Sequence, residues 1–296
     1  MNSFKADFIL LLVALFWGTT FVASKLILTS LSPMVIISLR FILALLFMGL
    51  IFRKDLKTLE THDLKGGFLV GLMLFIAFYT QLAALRFTDP GKQAFLAGTY
   101  VIFVPFMVWF IYKKKPDLKS FIATSMCFIG ISLLTLGDQM AMNLGDSLTV
   151  LSSVFFAGHI IATKHFVKSS SPVKISLVQF ATVAFLSTGA VIISGQIPGQ
   201  IQMDVLLPIL YLGLVCTGLA YYLQTLAQKY AKTTHTAIIL SLEAVFGSLL
   251  SVVIVHEVFT PKMILGSVII LGSILVVELK VERQSIERVG EEKEIV

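Results

Sequence analysis

Ten runs of about twenty apolar or small residues follow one another along the chain, roughly 8–29, 33–52, 67–87, 93–112, 119–137, 147–167, 173–195, 204–227, 234–255 and 261–279. Twenty residues at a helical rise cross a hydrocarbon core about 30 Å thick. Each run therefore predicts one membrane-spanning α-helix. Polar residues collect between the runs, and the connections are short; the longest, Arg53–Gly66, has about fourteen residues. No stretch is left for a soluble domain. One stretch, Thr233–Glu257, breaks the apolar pattern near its middle with a carboxylate, Glu243. A charge at that depth costs about 2.5–3.5 kcal/mol on insertion scales, so its helix is expected to face protein or a water-filled cavity.

Composition agrees. The 296 residues are 57% hydrophobic and 14% charged, with mean hydropathy +0.92. A soluble domain averages about 25% charged residues. Cys127 and Cys216 both lie in apolar runs and fit no metal spacing or disulfide framework. Residues 1–24 imitate a signal peptide, but nine further apolar runs mark the first as a retained helix. With the N-terminus placed inside, eighteen Lys and Arg fall on the inner face and three (Arg86, Lys92, Lys262) on the outer face; Lys25 and Arg40 lie within helices. That bias predicts a multi-pass protein of the cell (inner) membrane with both termini cytoplasmic.

The chain also repeats. A shift of 139 places Phe16-Trp17 on Phe155-Phe156, Ser24-Lys25 on Thr163-Lys164, Ser32-Pro33 on Ser171-Pro172 and Phe41 on Phe180. A shift of 143 places Tyr79 on Tyr222, Gln81 on Gln224, Ala84 on Ala227 and Phe103 on Phe246. Two collinear sets predict an all-α membrane protein of ten transmembrane helices in two inverted five-helix repeats. The repeats would occupy 1–140 and 141–280, with a charged cytoplasmic tail at 281–296. Five helices per half force the second half to enter upside down. Inverted repeats are an architecture of secondary transporters, whose site lies near the midplane between the halves.

Two stretches carry a resemblance. Residues 16–41 read FWGTTFVASKLILTSLSPMVIISLRF, and residues 240–279 read LSLEAVFGSLLSVVIVHEVFTPKMILGSVIILGSILVVEL. Trp17-Gly18, Lys25, Pro33 and Arg40, with Leu242-Glu243-Ala244-Val245-Phe246, His256-Glu257 and Thr260, resemble EamA-type permeases of the drug/metabolite transporter superfamily. Two positions depart from that pattern. Ala244 stands where the family has Pro, which is expected to remove a kink. His256 stands where it has Gly. The resemblance implies alternating access about a central cavity and export of amino acids or related small metabolites.

Glu243 is the deepest acid, and four roles are open to it: binding a substrate cation, exchanging a proton, pairing with Arg40, or standing as a structural carboxylate against hydroxyls and backbone. Its repeat counterpart is Tyr100. Tyr79 with Gln81, and Tyr222 with Gln224, are i,i+2 polar pairs in the third and eighth helices that would line a cavity or bond helix to helix. Trp17 and His159 occupy middle stretches of the first and sixth helices. Trp17 serves equally as cavity wall or packing, and a satisfied core histidine is the plainer reading of His159. Arg40 and Lys25 are assigned structural charge, and Lys25 and Lys164 are expected to snorkel. The substrate-binding candidates are thus Glu243, Tyr79, Gln81, Tyr100, Tyr222, Gln224, Trp17 and His159.

Other classes fit less well. No nucleophile–base pair, metal constellation or Walker loop appears, so no catalytic residue, metal ligand or cofactor is assigned and an enzyme is not expected. The basic inner loops orient the chain, and no nucleic-acid partner is expected. The expected partners are a small-molecule substrate and the lipid bilayer, in a monomer or homodimer, with proton-coupled and downhill transport both open. A multidrug exporter of the small-multidrug-resistance type is disfavoured because Phe8–Thr29 carries no acid. A non-transporting membrane enzyme or scaffold is the alternative from another class.

Overall fold

The computed structural model describes residues 3–113, 115–116, 118–135, 143–198, 203–231, 233–273 and 276. Among them every regular element is helical. The main helices are α1 (Ser3–Ile27), α2 (Pro33–Ile51), α3 (Thr61–Ala84), α4 (Pro90–Tyr112), α5 (Leu118–Thr135), α6 (Leu144–Phe166), α7 (Pro172–Ile193), α8 (Met203–Gln228), α9 (233–255) and α10 (Pro261–Ser273). A single turn, Arg53–Leu56, lies between α2 and α3. Seven helices of the described residues, α1–α4 and α6–α8, are long and apolar enough to cross a membrane. The runs expected at 119–137, 234–255 and 261–279 contain shorter apolar helices, Phe121–Gly130, Glu243–Val255 and Pro261–Ser273. The predicted tail, 281–296, lies outside the described residues, as does the Cys127 side chain. Cys216 is buried and free.

Local chemistry sets the boundaries. Ser32 precedes Pro33 and Ser171 precedes Pro172, and each proline opens its helix at N1, where a missing N–H costs nothing. α3 begins six residues ahead of the apolar run because the Asp63 carboxylate accepts the Glu60 N–H at 3.0 Å. α6 begins at Leu144 because Asn143 and Asp146 cap each other: Asn143 Oδ1 accepts the Asp146 N–H at 2.8 Å, and Asp146 Oδ2 accepts the Asn143 N–H at 3.2 Å.

The helices pack in a set pattern. α3 lies against α6 and α7, and α2 against α7 and α8. α1 lies against α8 and α9, and α4 against α6 and α9. Where α1 crosses α9 the backbones almost touch. A Cβ on Gly18 would stand 2.5 Å from Phe246 Cβ, and one on Gly247 3.3 Å from the Gly18 carbonyl. α5 meets α10 in the same manner, since a Cβ on Gly130 would stand 2.8 Å from the Gly266 carbonyl. Small residues are what permit helices to approach this closely within a bilayer.

Large apolar side chains cover the outside: Leu50, Phe110, Phe128, Phe185 and Ile193 are all more than 70% exposed. The buried interior holds Arg40, Gln179, Gln224 and Glu243. Apolar outside and polar inside is the arrangement of a protein whose solvent is lipid.

Candidate functional site

α4 and α9 are both interrupted, at matching places. α4 consists of Pro90–Gly98 and Tyr100–Tyr112 joined at Thr99. α9 consists of Thr233–Leu240 and Glu243–Val255 joined at Ser241 and Leu242. At each joint the backbone tightens to i→i+3 bonding. The Ile102 N–H donates to Thr99 O at 2.9 Å, and the Ala244 N–H to Ser241 O at 3.0 Å. The interruption forms with Ala244, not proline, beside it. In α4 the Thr99 hydroxyl takes the Leu96 carbonyl at 2.6 Å, the kind of side-chain competition that disturbs a helical ladder. Short 3₁₀ stretches inside helices often mark hinges.

Each joint sets one polar residue at the start of the following segment: Tyr100 in α4 and Glu243 in α9. A carboxylate in the first turn of a helical segment lies with the dipole rather than against it. Both side chains are buried. The Tyr100 hydroxyl lies beside the Glu243 carboxyl yet reaches good hydrogen-bond geometry with no described group.

The two residues share a cavity with side chains of five other helices. α1 supplies Trp17, Thr20 and Phe21, α2 Arg40, and α3 Phe78 and Gln81. α6 supplies Phe156, His159 and Ile160, and α8 Tyr221 and Gln224. The free space is about 20 Å³, room for one water. Ligand pockets run to about 300–1,000 Å³, so the cavity is closed around its own polar groups.

Aromatic residues form the wall. The Trp17 and Tyr221 rings lie 4.6 Å apart, and Tyr221 also meets Phe78 at 5.9 Å and His159 at 5.7 Å. The Trp17 indole N–H donates to the Cys216 carbonyl at 3.1 Å. That carbonyl lies in a π-helical stretch of α8, Leu212–Leu219, and single π turns recur at functional sites. His159 Nε2 is bonded to Gln179 Oε1 at 3.0 Å, as a satisfied core histidine would be, while its ring still faces the cavity.

Arg40 is only 1% exposed. Its Nε donates to Thr217 Oγ1 at 3.1 Å, and its Cζ lies 4.7 Å from the centre of the Phe78 ring. Among the described residues neither Arg40 nor Glu243 forms a salt bridge. Arg40 neither snorkels nor bonds a neighbouring carbonyl.

Of the predicted site residues, Glu243, Tyr100, Gln81, Gln224, Trp17 and His159 come together at the cavity. Tyr79 and Tyr222 do not. Tyr79 is 43% exposed, and the Tyr222 ring packs 5.3 Å from Phe52. The physical reason is helical spacing: residues i and i+2 point to different sides, whereas i and i+3 share a face. Phe78 and Tyr221, three residues before Gln81 and Gln224, take the cavity face. Sequence reasoning missed both, together with Phe156 and Thr20. The i−3 spacing was the available signal.

Lys25 and Lys164 also differ from expectation. Lys25 Nζ donates to the carbonyls of Leu85 and Thr88 at 3.0 and 2.8 Å, closing the end of α3. Lys164 Nζ donates to the Gln228 carbonyl at 2.8 Å, closing the end of α8. Both cap orphaned helix carbonyls rather than snorkel, which suits a cation at a helix C-terminus.

Ties close the bundle at both ends. At one, Lys92 pairs with buried Asp146 at 2.9 Å, and Glu257 accepts the N–H groups of Gly91 and Lys92 at 2.8 and 3.2 Å. At the other, Lys174 pairs with Asp63 at 3.2 Å, and Ser170 bonds the same carboxylate.

Comparison with known proteins places this geometry. The sequence model of the EamA-like transporter family matches residues 4–136 and again 143–279. An uncharacterized transporter of Archaeoglobus fulgidus is 32% identical over 276 residues, 93% of this chain and 86% of the relative. A protein of Salmonella typhimurium named as a probable amino-acid metabolite efflux pump is 26% identical over 287 residues, 92% of this chain and 94% of the relative. A protein of known crystal structure superposes with a TM-score of 0.69 at 17% identity, over 96% of this chain and 99% of that one. The last likeness is one of fold.

Proposed function

The chain belongs to the EamA-like transporter family, and from that premise we propose that it exports amino acids or closely related small metabolites across the cytoplasmic membrane. The observation that carries this reading is Glu243. It is a buried carboxylate at an interrupted helix, lining a closed aromatic cavity, with no described cation paired to it. A desolvated acid of that kind is a ready receptor for a substrate ammonium group. In this reading Glu243 anchors the substrate, Tyr100, Gln81 and Gln224 orient it, and Trp17, Phe78, Phe156 and Tyr221 form the wall. A relative named as a probable amino-acid metabolite efflux pump supports the substrate class.

The mechanism proposed is alternating access by two inverted five-helix halves, 1–140 and 141–280, within ten spans. Two observations support it. The family model matches once in each half. Exchanging α1–α5 for α6–α10 also leaves the pairing of α3 with α6 and α7, α2 with α7 and α8, α1 with α8 and α9, and α4 with α6 and α9 unchanged as a set. A cavity of about 20 Å³ admits water but no amino acid, so loading requires the halves to part at one end. The ties Lys92–Asp146 and Asp63–Lys174 stand where each end would open. Proton coupling and cytoplasmic termini belong to the same proposal.

The test is solute flux in proteoliposomes holding the purified protein, with a broad amino-acid and metabolite panel, with and without a pH gradient. Saturable movement of one or more amino acids is the expected result, and a pH gradient is expected to accelerate it. Flux of no member of the panel would remove the transport reading.

A further inference from the structure

We propose that Arg40 receives the carboxylate of the transported molecule, so that the cavity reads a zwitterion from both ends. The inference rests on the transport reading above and adds a second recognition point to it.

The argument starts from what a buried guanidinium requires. Arg carries five N–H donors and stays charged, so a fully buried one is normally matched to a carboxylate. Arg40 has no such match among the described residues. Its Nε is spent on Thr217 and its flat face on Phe78, while Nη2 has no partner. A hydroxyl and a ring compensate only part of a cation's lost hydration. What remains is a planar donor edge at the wall of the cavity, and carboxylates bind that edge in a fork.

The surroundings fix the arginine in place. A Cβ on Gly213 would stand 3.3 Å from the Arg40 carbonyl, so α8 passes directly along α2. The π-helical stretch then turns Thr217 toward Nε, and the Thr217 hydroxyl is itself fixed on Leu212 O at 2.7 Å. Phe78 covers the guanidinium from α3. The group is thus held in position before any substrate arrives, which lowers the cost of binding.

The geometry also separates Arg40 from Glu243. Tyr221 neighbours both, the two charges form no salt bridge, and each stays available to a ligand. Gln224 lines the same cavity fully buried, with both amide atoms unpartnered. A molecule with ammonium at one end and carboxylate at the other satisfies both charges. An organic cation leaves Arg40 bare, and an organic anion leaves Glu243 bare. α-Amino acids carry both groups; their amides and decarboxylated amines lack the second.

The experiment uses the full chain in proteoliposomes and an amino acid that the wild-type protein moves. Its amide and its decarboxylated amine are compared with it as competitors. Both are expected to compete at least about tenfold more weakly than the parent, the scale of one lost charge-assisted hydrogen bond. In Arg40→Gln the KM for the parent is expected to rise about tenfold or more while the potency of the amine stays the same, which erases the discrimination. Arg40→Lys should restore part of it. Thr217→Val keeps the charge and loosens its seat, and should raise KM with little change in kcat; it carries the test if Arg40→Gln fails to fold. Equal competition by parent, amide and amine in the wild type overturns the inference and leaves amino-acid transport standing. So does an equal loss for parent and amine in Arg40→Gln. A wild-type protein that moves no amino acid overturns both readings.

Discussion

Tyr100 and Glu243 are counterparts: each opens the segment that follows its helix's interruption, they lie 143 positions apart, and their polar ends adjoin at the contact of α4 with α9. One is a neutral hydroxyl and the other an acid. The α4–α9 contact therefore offers a substrate one acid, while the Arg40 guanidinium stands apart on the same cavity wall.

The acid should accordingly dominate transport. Glu243→Gln and Glu243→Ala are expected to cut flux about tenfold or more, the scale of a lost charged hydrogen bond. Tyr100→Phe should act more mildly. Initial rates in proteoliposomes at matched protein levels decide. Normal flux in both Glu243 variants would remove the anchor.

Gly18 is a packing requirement. In Gly18→Ala the new Cβ meets Phe246 Cβ at 2.5 Å and the Gly247 backbone nitrogen at 3.0 Å. Overpacking of that kind costs about 1–3 kcal/mol. A lower unfolding midpoint in detergent is expected. Gly189, with nothing within 4 Å of its would-be Cβ, is the control. Gly189→Ala should leave the midpoint unchanged or raise it, since alanine favours a helix interior. Equal midpoints for the two variants would show that the α1–α9 crossing tolerates separation.

His256 occupies a left-handed conformation, φ 57°, at the end of α9. A side chain there costs about 1–2 kcal/mol, less for residues that visit this region often. His256→Gly relieves that strain and pays part of it back as chain entropy in the unfolded state. A net gain of about 0.5–1 kcal/mol is expected in chemical unfolding. A loss of stability would mean that the imidazole makes a contact of value.

Lys92 and Asp146 should couple. Removing the lysine strands a carboxylate that is 0% exposed, which costs about 3–5 kcal/mol. In the double variant Lys92→Met/Asp146→Asn no charge is left behind, so much of that loss should return. The asparagine also keeps an oxygen for the Asn143 N–H. Thermal unfolding of the four proteins of the cycle gives the coupling. Strictly additive effects would show that the tie is dispensable.

Orientation can be read by labelling. With Cys127 and Cys216 replaced, Arg86→Cys should react with an impermeant maleimide in whole cells and Lys57→Cys only after lysis. The reverse result would turn the protein over.

Much of the frame was legible in the chain. The Ser-Pro pairs at 32–33 and 171–172 opened helices where expected, since proline fixes φ and spends no needed donor. Glu243 stood out because a charge in an apolar run is expensive. The interruptions at Thr99 and Ser241–Leu242 were hidden: neither contains proline, Gly98 beside Thr99 reads equally as a packing residue, and each shows only as i→i+3 bonding in the folded chain. The π turn at Leu212–Leu219 was hidden too, because its glycines, Gly213 and Gly218, are equally at home in a regular membrane helix. Reading Tyr79 with Gln81 as a unit followed spacing along the chain instead of the helix face, and it missed Phe78 and Tyr221. Lys25 and Lys164 looked like surface anchors because their carbonyl partners are about sixty residues away.

The narrow centre bears on the membrane as well as on the cargo. Trp17, Phe78 and Tyr221 close the middle down to about the space of one water. A cavity of that size has no room for a hydrated ion. For the proposed exporter, a centre closed to this degree would spare the electrochemical gradients stored across the bilayer.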